Sequence, residues 1–432
     1  MTSASRNFDV LIVGAGPAGM AAACCASENG LRVGVVDNNP QPGGQIWRGA
    51  SQDSAVPEAA PWYKKLAASR AQVLSGTEVY DHPAPGKLLA SFAGGVCEIS
   101  YAKLILCTGA RERFLPFPGW TLPNVIGAGG LQALVKSGFS VAGKKIIVAG
   151  SGPLLLAVAA YLREHGGDVR LIAEQSSWPR LIRFGFALAF QKEKLAQSFA
   201  LKRQLAGIPY KAGCWPVAAE GSGRVESVTL RSGSKTWNEA CDYLACGFFL
   251  VPNVELPALL GCELRAGFVR VDDFQQTTIP EVYCAGEPTG IGGLDLSLVE
   301  GQIAGHAAAG NREAARKLFR ERDRSRNFAT ALARAFSLRE ELRSLPADAT
   351  FICRCEDVTL ARLRNHSCWR AAKLQTRCGM GSCQGRICGP AVEFLLGWKP
   401  ESVRPPIYPV SISSLAKNIS IESQSSLQEE LR

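Results

Sequence analysis

The sequence predicts an α/β chain in which two Rossmann-like, dinucleotide-binding domains are followed by a small helical, cysteine-rich module. Three observations predict it. The apolar strand Asp9–Val13 runs into Gly14-Ala15-Gly16-Pro17-Ala18-Gly19 and then into a helix of small residues. The same strand, glycine turn and helix return at Lys145–Ala149 and Gly150-Ser151-Gly152. Six of the fifteen cysteines crowd into Cys353–Cys388, too densely for core filling.

The elements follow in order. The first helix runs from Met20 to Asn29 and is ended by Gly30, and Arg32–Val36 is the second strand of a β-α-β unit, closing on Asp37. After a polar region to about residue 70, Val73–Tyr80, Lys87–Phe92, Val96–Ser100 and Leu104–Cys107 have strand character, the last ending at Thr108-Gly109-Ala110. The second unit takes its helix to about His165 and its next strand over Val169–Ala173, ending at Glu174. Leu201–Lys211, Val225–Leu230 and Tyr243–Cys246 add strand-like runs, and Val282–Ala285 precedes a small-residue helix, Leu298–Ala309. Asn311–Ser344 reads as a polar, arginine-rich helical connector with one apolar stripe, Leu332, Ala335, Leu338 and Leu342, broken by Pro346. The implied domains are 1–140 with 270–312, 141–269, a connector 313–346, the cysteine module 347–398 and an extended arm 399–432.

The chain has 432 residues, of which 47% are hydrophobic and 20% charged, so it can build sizeable cores and is neither disordered nor fibrous. Ile146–Leu162 is the best transmembrane candidate, but Gly150-Ser151-Gly152-Pro153 breaks it into strand, turn and helix. The start of the chain, Met1 to Phe8, carries no apolar signal segment, and nine scattered cysteines in apolar surroundings suit a reducing, cytoplasmic setting. The net charge of +10 fits a basic face for an acidic partner or anionic cofactor; no nucleic-acid motif accompanies it.

The first turn carries recognisable chemistry. Gly14 permits the tight turn, Gly16 lets backbone approach a pyrophosphate at the helix N-terminus beside Pro17 and Ala18, and Gly19 allows close helix–strand packing. Asp37 can accept hydrogen bonds from a ribose diol. This fingerprint alone leaves FAD and NAD open. FAD is favoured by three later features in order: the loop Pro42-Gly43-Gly44-Gln45, the turn Thr108-Gly109-Ala110, and Cys284-Ala285-Gly286-Glu287 before a helix. In the second unit Leu155 stands where Gly or Ala would allow close packing, so NAD binding there competes with a retained but non-binding domain, and the leucine favours the latter.

Cys353-Arg354-Cys355 and Cys383-Gln384-Gly385-Arg386-Ile387-Cys388 offer four thiolates, enough for one [2Fe–2S] cluster, with zinc or free thiols as rivals. Cys368 and Cys378 are spare, and Cys378 reads as a packed small residue. No catalytic constellation emerges: His82, His165, His306 and His366 are scattered, His306 reads as a helix-face histidine, and Cys-x-x-Cys, Gly-x-Ser-x-Gly and His-Glu-x-x-His are all missing.

Four segments together carry a resemblance: Pro42–Ile46, Thr108–Arg113, Cys353-Arg354-Cys355-Glu356-Asp357-Val358-Thr359 and Thr376–Cys388. The chain resembles the accessory α-type flavoprotein subunits of heteromeric amine and imino-acid dehydrogenases. The larger, A-type subunit of opine oxidase, the proline and D-hydroxyproline dehydrogenase α subunits and a hydrogen cyanide synthase subunit belong to that group. The resemblance spans nearly the whole chain and implies the two-domain flavoprotein fold with a small helical domain like bacterioferritin-associated ferredoxin. It implies a [2Fe–2S] cluster on Cys353, Cys355, Cys383 and Cys388, and excludes Cys378, where relatives usually carry alanine. It implies FAD, in some relatives FMN at the subunit interface, and in one type ATP in this subunit.

The partner implied is an FAD-containing, glycine-oxidase-like β subunit that oxidises the amine or imino acid, with a small ferredoxin-like γ subunit in some complexes. The function expected is electron relay from that flavin. A self-contained NAD(P)H-dependent flavin reductase and a scaffold with a structural nucleotide are the alternatives.

Overall fold

The computed structural model describes residues 6–28, 30–50, 56–189, 199–400 and 402–416. The expected helix end at Asn29, the first five residues and the end of the arm, 417–432, lie outside the described residues. The chain forms two compact units, one of Met1–Ala110, Pro252–Ala329 and Ser402–Arg432, the other of Arg111–Val251 and Thr330–Glu401.

The first unit is built on a seven-stranded sheet. Its order is Gln72–Leu74, Val33–Val36, Arg6–Val13, Gly95–Leu106, Lys87–Phe92 and Glu78–Ala84, with Val282–Cys284 also paired to Gly95–Leu106. The β-branched run Val10–Val13 lies parallel to Val33–Val36 on one side and to Lys103–Leu106 on the other. Val13, Val36, Leu106 and Cys284 therefore end at one edge, where open parallel sheets bind ligands. The helices Pro17–Ser27 and Gly293–Ala308 pack backbone to backbone. A Cβ on Gly301 would stand 2.2 Å from Ala18 O, and one on Gly305 would stand 2.4 Å from Ala22 O. Their small-residue composition is what permits that approach. Arg322, expected on a charged connector face, is buried and bonded to Asp273 and Asp323, and Arg326 pairs with buried Glu300. Part of the arginine excess thus serves internal ion pairs. The arm, read from sequence as extended, packs on this unit: Ile407 is buried and its N–H donates to Tyr80 O at 2.8 Å.

The second unit has a five-stranded parallel sheet ordered Tyr210–Ala212, Asp168–Glu174, Lys145–Ser151, Tyr243–Phe248 and Val125–Gly127. A three-stranded meander follows, Cys214–Glu220, Ser227–Ser232 and Lys235–Ala240. The unit boundaries differ from 140/141 and 269/270 for a non-local reason. Val125–Gly127 pairs with Leu244–Cys246, which draws the segment after Arg111 into the second unit. Leu256, Cys262 and Val269 join the core around Leu11 and Leu104, which draws 252–269 into the first. Leu201–Lys211 is not a strand throughout: residues 199–204 are helical and the strand is only Tyr210–Ala212. Leu201 and Leu205, four residues apart around Lys-Arg-Gln, have the helical period.

The cysteine module belongs to the second unit. A short hairpin, Phe351–Cys353 with Val358–Thr359, and the helices Leu360–Arg364, Trp369–Thr376 and Cys388–Leu396 enclose a core of Ile352, Val358, Leu363, Trp369 and Val392. It is seated by Trp120 Nε1, which donates to Phe351 O at 2.6 Å, and by Arg343, which donates to Phe394 O.

Candidate functional site

At the edge of the first sheet the glycines divide into two kinds. A Cβ on Gly14 would stand 2.1 Å from Cys107 O, and one on Gly19 would stand 1.8 Å from Gly14 O, so both are required by packing. Gly16 is different: the nearest atom to its Cβ would be Gly44 Cα at 4.0 Å, which leaves room above the helix N-terminus. The loop over it is anchored by the Gly43 N–H donating to Ala15 O at 2.7 Å. Asp37 is buried; its Oδ2 accepts from Ala15 N at 2.5 Å and keeps capacity for a further donor, while its Oδ1 accepts from Asn39 N and Asn39 Nδ2, each at 2.7 Å. Arg48, which the sequence did not single out, bridges Gln45 Oε1 and Asn39 Oδ1 at 2.9 and 3.1 Å, while its Nε is buried with no hydrogen-bond partner among the described residues.

Thr108 and Gly109 meet Asn253. Thr108 Oγ1 donates to Asn253 O at 2.6 Å, Asn253 Nδ2 donates to Thr108 O at 2.8 Å, and the Asn253 N–H donates to Gly109 O at 2.9 Å. Gly286 adopts φ +82° in the turn that presents Glu287. Glu287 Oε1 accepts from Gly293 N at 2.9 Å, at the start of the long helix, while Oε2 is buried with no hydrogen-bond partner among the described residues. Burial pushes this carboxyl up to about 7, against the pull of the Gly293 N–H. Glu300 holds the turn from below: it accepts from Gly286 N at 3.1 Å and Thr289 Oγ1 at 2.6 Å and pairs with Arg326 at 2.9 Å. An acidic residue inside the apolar run Leu298-Val299-Glu300-Gly301 was the sequence signal for it.

These features fit a flavin dinucleotide. The open space at Gly16, the carboxylate of Asp37 and the orphaned Glu287 oxygen are what the pyrophosphate, ribose and ribityl hydroxyls of FAD need.

In the second unit Gly150 is also a packing glycine, with Gly247 O 1.8 Å from where its Cβ would be. Leu155 does not disturb the unit; it is buried with Ile146, Val148, Val158 and Ala159. Glu174 is only 1% exposed and accepts from Gly152 N and Ser176 N, each at 2.8 Å. Burial raises its carboxyl to about 7 although both N–H groups pull it down.

The cysteine loops gather their sulfurs. Those of Cys353, Cys378 and Cys388 lie within 4.8 Å of one another. A cavity of about 450 Å³ is lined by Cys353, Cys355, Cys383 and Cys388, with Phe114, Trp120 and Glu112 among its other walls. Cys378 is not among the lining residues and is wholly buried. The thiols of Cys378 and Cys388 hold Cys353 down at about 2, and the Cys388 thiol holds Cys383 at about 5. Cys378 is pushed up to about 12, chiefly by Cys353, and Cys388 is also raised by its sulfur neighbours. Glycines make the loop possible: a Cβ on Gly381 would stand 2.3 Å from Cys355 Cβ, and one on Gly379 would stand 2.8 Å from the Trp369 ring. The four expected thiols line one cavity, while among the described residues the sulfurs that converge within 4.8 Å are those of Cys353, Cys388 and Cys378, without Cys355 and Cys383; a thiol donor set of this kind fits a thiolate-bound metal group.

Residues 8–310 match the family model for pyridine nucleotide-disulphide oxidoreductases. The chain belongs to the pyridine nucleotide-disulphide oxidoreductase family. Among curated members it is 31% identical to the A-type subunit of opine oxidase from Agrobacterium tumefaciens (strain Ach5), over 96% of this chain and 92% of that one. It is 30% identical to hydrogen cyanide synthase subunit HcnB of Pseudomonas aeruginosa, over 88% and 91%. Among solved structures it is similar to L-proline dehydrogenase from P. horikoshii, with TM-score 0.66 and 20% identity over 96% of this chain and 80% of that one. The T. acidophilum thioredoxin reductase matches 71% of this chain and 99% of its own, with TM-score 0.55 and 20% identity. This member of the family is an oxidoreductase with the expected two-domain α/β fold. Among the described residues no helix is long and apolar enough to cross a membrane. His306 is half-buried and its imidazole is pushed toward the neutral form by burial.

Proposed function

We propose that this chain is the electron-transfer flavoprotein and iron–sulfur subunit of a heteromeric amine or imino-acid dehydrogenase, of the opine, proline or D-hydroxyproline type. One observation carries the reading. Four cysteines in two short segments of one module, Cys353 and Cys355 with Cys383 and Cys388, line a single cavity in a chain that matches the A-type subunit of opine oxidase over nearly its whole length. A dedicated thiolate module is an investment in electron relay rather than in binding a substrate.

Bound at the first turn, FAD supplies a two-electron acceptor, and a [2Fe–2S] group on the four thiols supplies a one-electron carrier. The protein's own residues do the holding. Gly16 and the start of the helix Pro17–Ser27 offer N–H groups and a helix N-terminus to the pyrophosphate. Asp37 receives the adenosine ribose, Gln45 and Arg48 cover the loop, and Glu287 offers its free oxygen to a ribityl hydroxyl. Thr108 and Gly109 are fixed by Asn253.

In this reading the substrate amine is oxidised on an FAD-containing, glycine-oxidase-like partner, and the chain here carries electrons away, in some complexes of this kind alongside a small ferredoxin-like third subunit. Trp178, Ile182 and Phe186, exposed by 55, 57 and 70%, form an apolar stripe of the kind that a partner covers. The experiment is cofactor analysis of the purified full chain: extracted flavin, iron, zinc and acid-labile sulfide. The expectation is FAD with about two iron and two sulfide per chain. Zinc without sulfide would remove the cluster from the account, and ATP in place of flavin would change the nucleotide assigned to Gly14–Gly19.

A further inference from the structure

The second glycine turn keeps the shape of a nucleotide site, but the space over it is taken by the chain itself. Ser151 Oγ donates to Phe336 O at 3.1 Å, Ser176 Oγ to Ala335 O at 2.5 Å, and Gln175 Nε2 to Ser337 O at 3.2 Å. Arg180 Nη1 adds a bond to Ser337 O at 3.1 Å. In return the Arg339 N–H donates to Gln175 Oε1 at 3.3 Å, and the Arg339 guanidinium lies over the Trp215 ring at 4.5 Å. The carbonyl of Ala335, the last residue of the helix Phe319–Ala335, which a helix terminus leaves without an intrahelical partner, and those of Phe336 and Ser337 just beyond it are satisfied in this way.

The side chains that satisfy them are placed where a dinucleotide is held in a Rossmann unit. Ser151 lies inside the glycine turn, and Gln175 and Ser176 directly follow the acidic residue at the end of the second strand. Aromatic rings fill the rest. Phe249, held at φ +69°, reaches within 3.1 Å of where a Cβ on Gly152 would be. Phe336 is buried against Phe184, edge to face at 5.5 Å, in one cluster with Leu332, Ala335 and Phe249. A bulky residue in the left-handed region is kept there only when its surroundings demand it. Gly16 of the first turn has no such cover. Glu174, the counterpart of Asp37, already accepts two N–H groups and is sealed from solvent.

We propose that the second dinucleotide cleft is a socket for the chain's own segment Ala335–Arg339, which takes the place of a nicotinamide dinucleotide and anchors the stem of the cysteine module. Nucleotide binding is thereby confined to Gly14–Gly19. The old cofactor cleft has become a clamp, and any nucleotide must first displace Phe336 and break the bonds from Ser151, Gln175 and Ser176, which lowers its apparent affinity by the rarity of that open state.

Amide hydrogen exchange on the full chain tests this, with and without NADH or NADPH at millimolar concentration. The Phe336 N–H donates to Leu332 O and the Arg339 N–H to Gln175 Oε1, so both should exchange slowly, and neither cofactor should change their rates. Gln175→Ala should speed exchange at Arg339 by about tenfold or more while leaving the amides of Arg6–Val13 unchanged. Faster exchange over Phe336–Arg339 on adding either cofactor would overturn the proposal, and so would an unchanged rate at Arg339 in Gln175→Ala. These readouts involve neither flavin nor iron, so their failure is distinguishable from failure of the electron-relay reading.

Discussion

The sulfurs of Cys353 and Cys378 lie within 4.8 Å of each other, yet Cys353 lines the thiol cavity and Cys378 does not. In the proposed ligand set Cys378 is a buried thiol beside the cavity and not a ligand. Cys383→Ser should therefore lose the iron, and Cys378→Ser should retain about two iron per chain. Metal analysis with the visible spectrum of each variant decides between them. Iron lost from Cys378→Ser and kept in Cys383→Ser would reassign the ligand set.

The two kinds of glycine in the first turn should separate stability from cofactor binding. Gly19→Ala forces a methyl against Gly14 O and should cost about 2–4 kcal/mol, visible as a lowered unfolding midpoint. Gly16→Ala adds its methyl into free space and should leave the flavin-free chain within about 0.5 kcal/mol of the parent. Flavin affinity should nevertheless fall by about tenfold or more, because the methyl occupies the path of the pyrophosphate. Denaturant unfolding of apoprotein and flavin titration of each variant measure the two effects.

Glu287 gives a pH dependence with a definite sign. Its carboxyl is raised by burial from 4.5 to about 7 in the folded chain. Between those values the folded state holds the proton that the unfolded state has lost, so this group's contribution to stability is present at low pH and declines as pH rises toward 7. Glu287→Gln, which keeps an acceptor for Gly293 N and removes the charge, should leave the apoprotein unchanged near pH 4.5. It should stabilise the apoprotein by about 1–3 kcal/mol at pH 8. Thermal unfolding of both proteins at the two pH values checks it; a difference independent of pH contradicts it.

How much of this was legible in the sequence depended on how local the signal was. The Gly14–Gly19 turn, Asp37 and the paired cysteines sit in short patterns, and the fold places them at a sheet edge and around one cavity. Non-local pairings were not legible. Val125–Gly127 joins the second sheet through Leu244–Cys246, which moves the boundary to Arg111, and the helix over 199–204 shows its period only in the single pair Leu201 and Leu205, too short a repeat to set it apart from the strand Tyr210–Ala212 that follows. In the sequence Leu155 stands as an obstacle to the second turn, but it fills the core beneath that turn; what closes the cleft is Phe249 and Phe336, brought from distant segments. Arg322 and Arg326 read as surface charge because their acidic partners, Asp273 and Glu300, are remote in sequence.

A closed second cleft also predicts the flavin's behaviour toward nicotinamides. NADH and NADPH should not bleach the bound flavin at a useful rate, since Phe249 covers Gly152 and Ser151 is committed to Phe336 O. Stopped-flow mixing of the flavin-loaded chain with each cofactor under anaerobic conditions is the check. Rapid bleaching by either would restore the self-contained reductase.

In the proposed function this chain relays electrons and does not itself oxidise the amine. Dye-linked turnover of the full chain, alone and co-expressed with an FAD-containing subunit of the glycine-oxidase type, tests it most directly across proline, D-hydroxyproline and opine substrates. Negligible turnover is expected for the chain alone, with turnover only in the complex; full turnover by the isolated chain would contradict the claim.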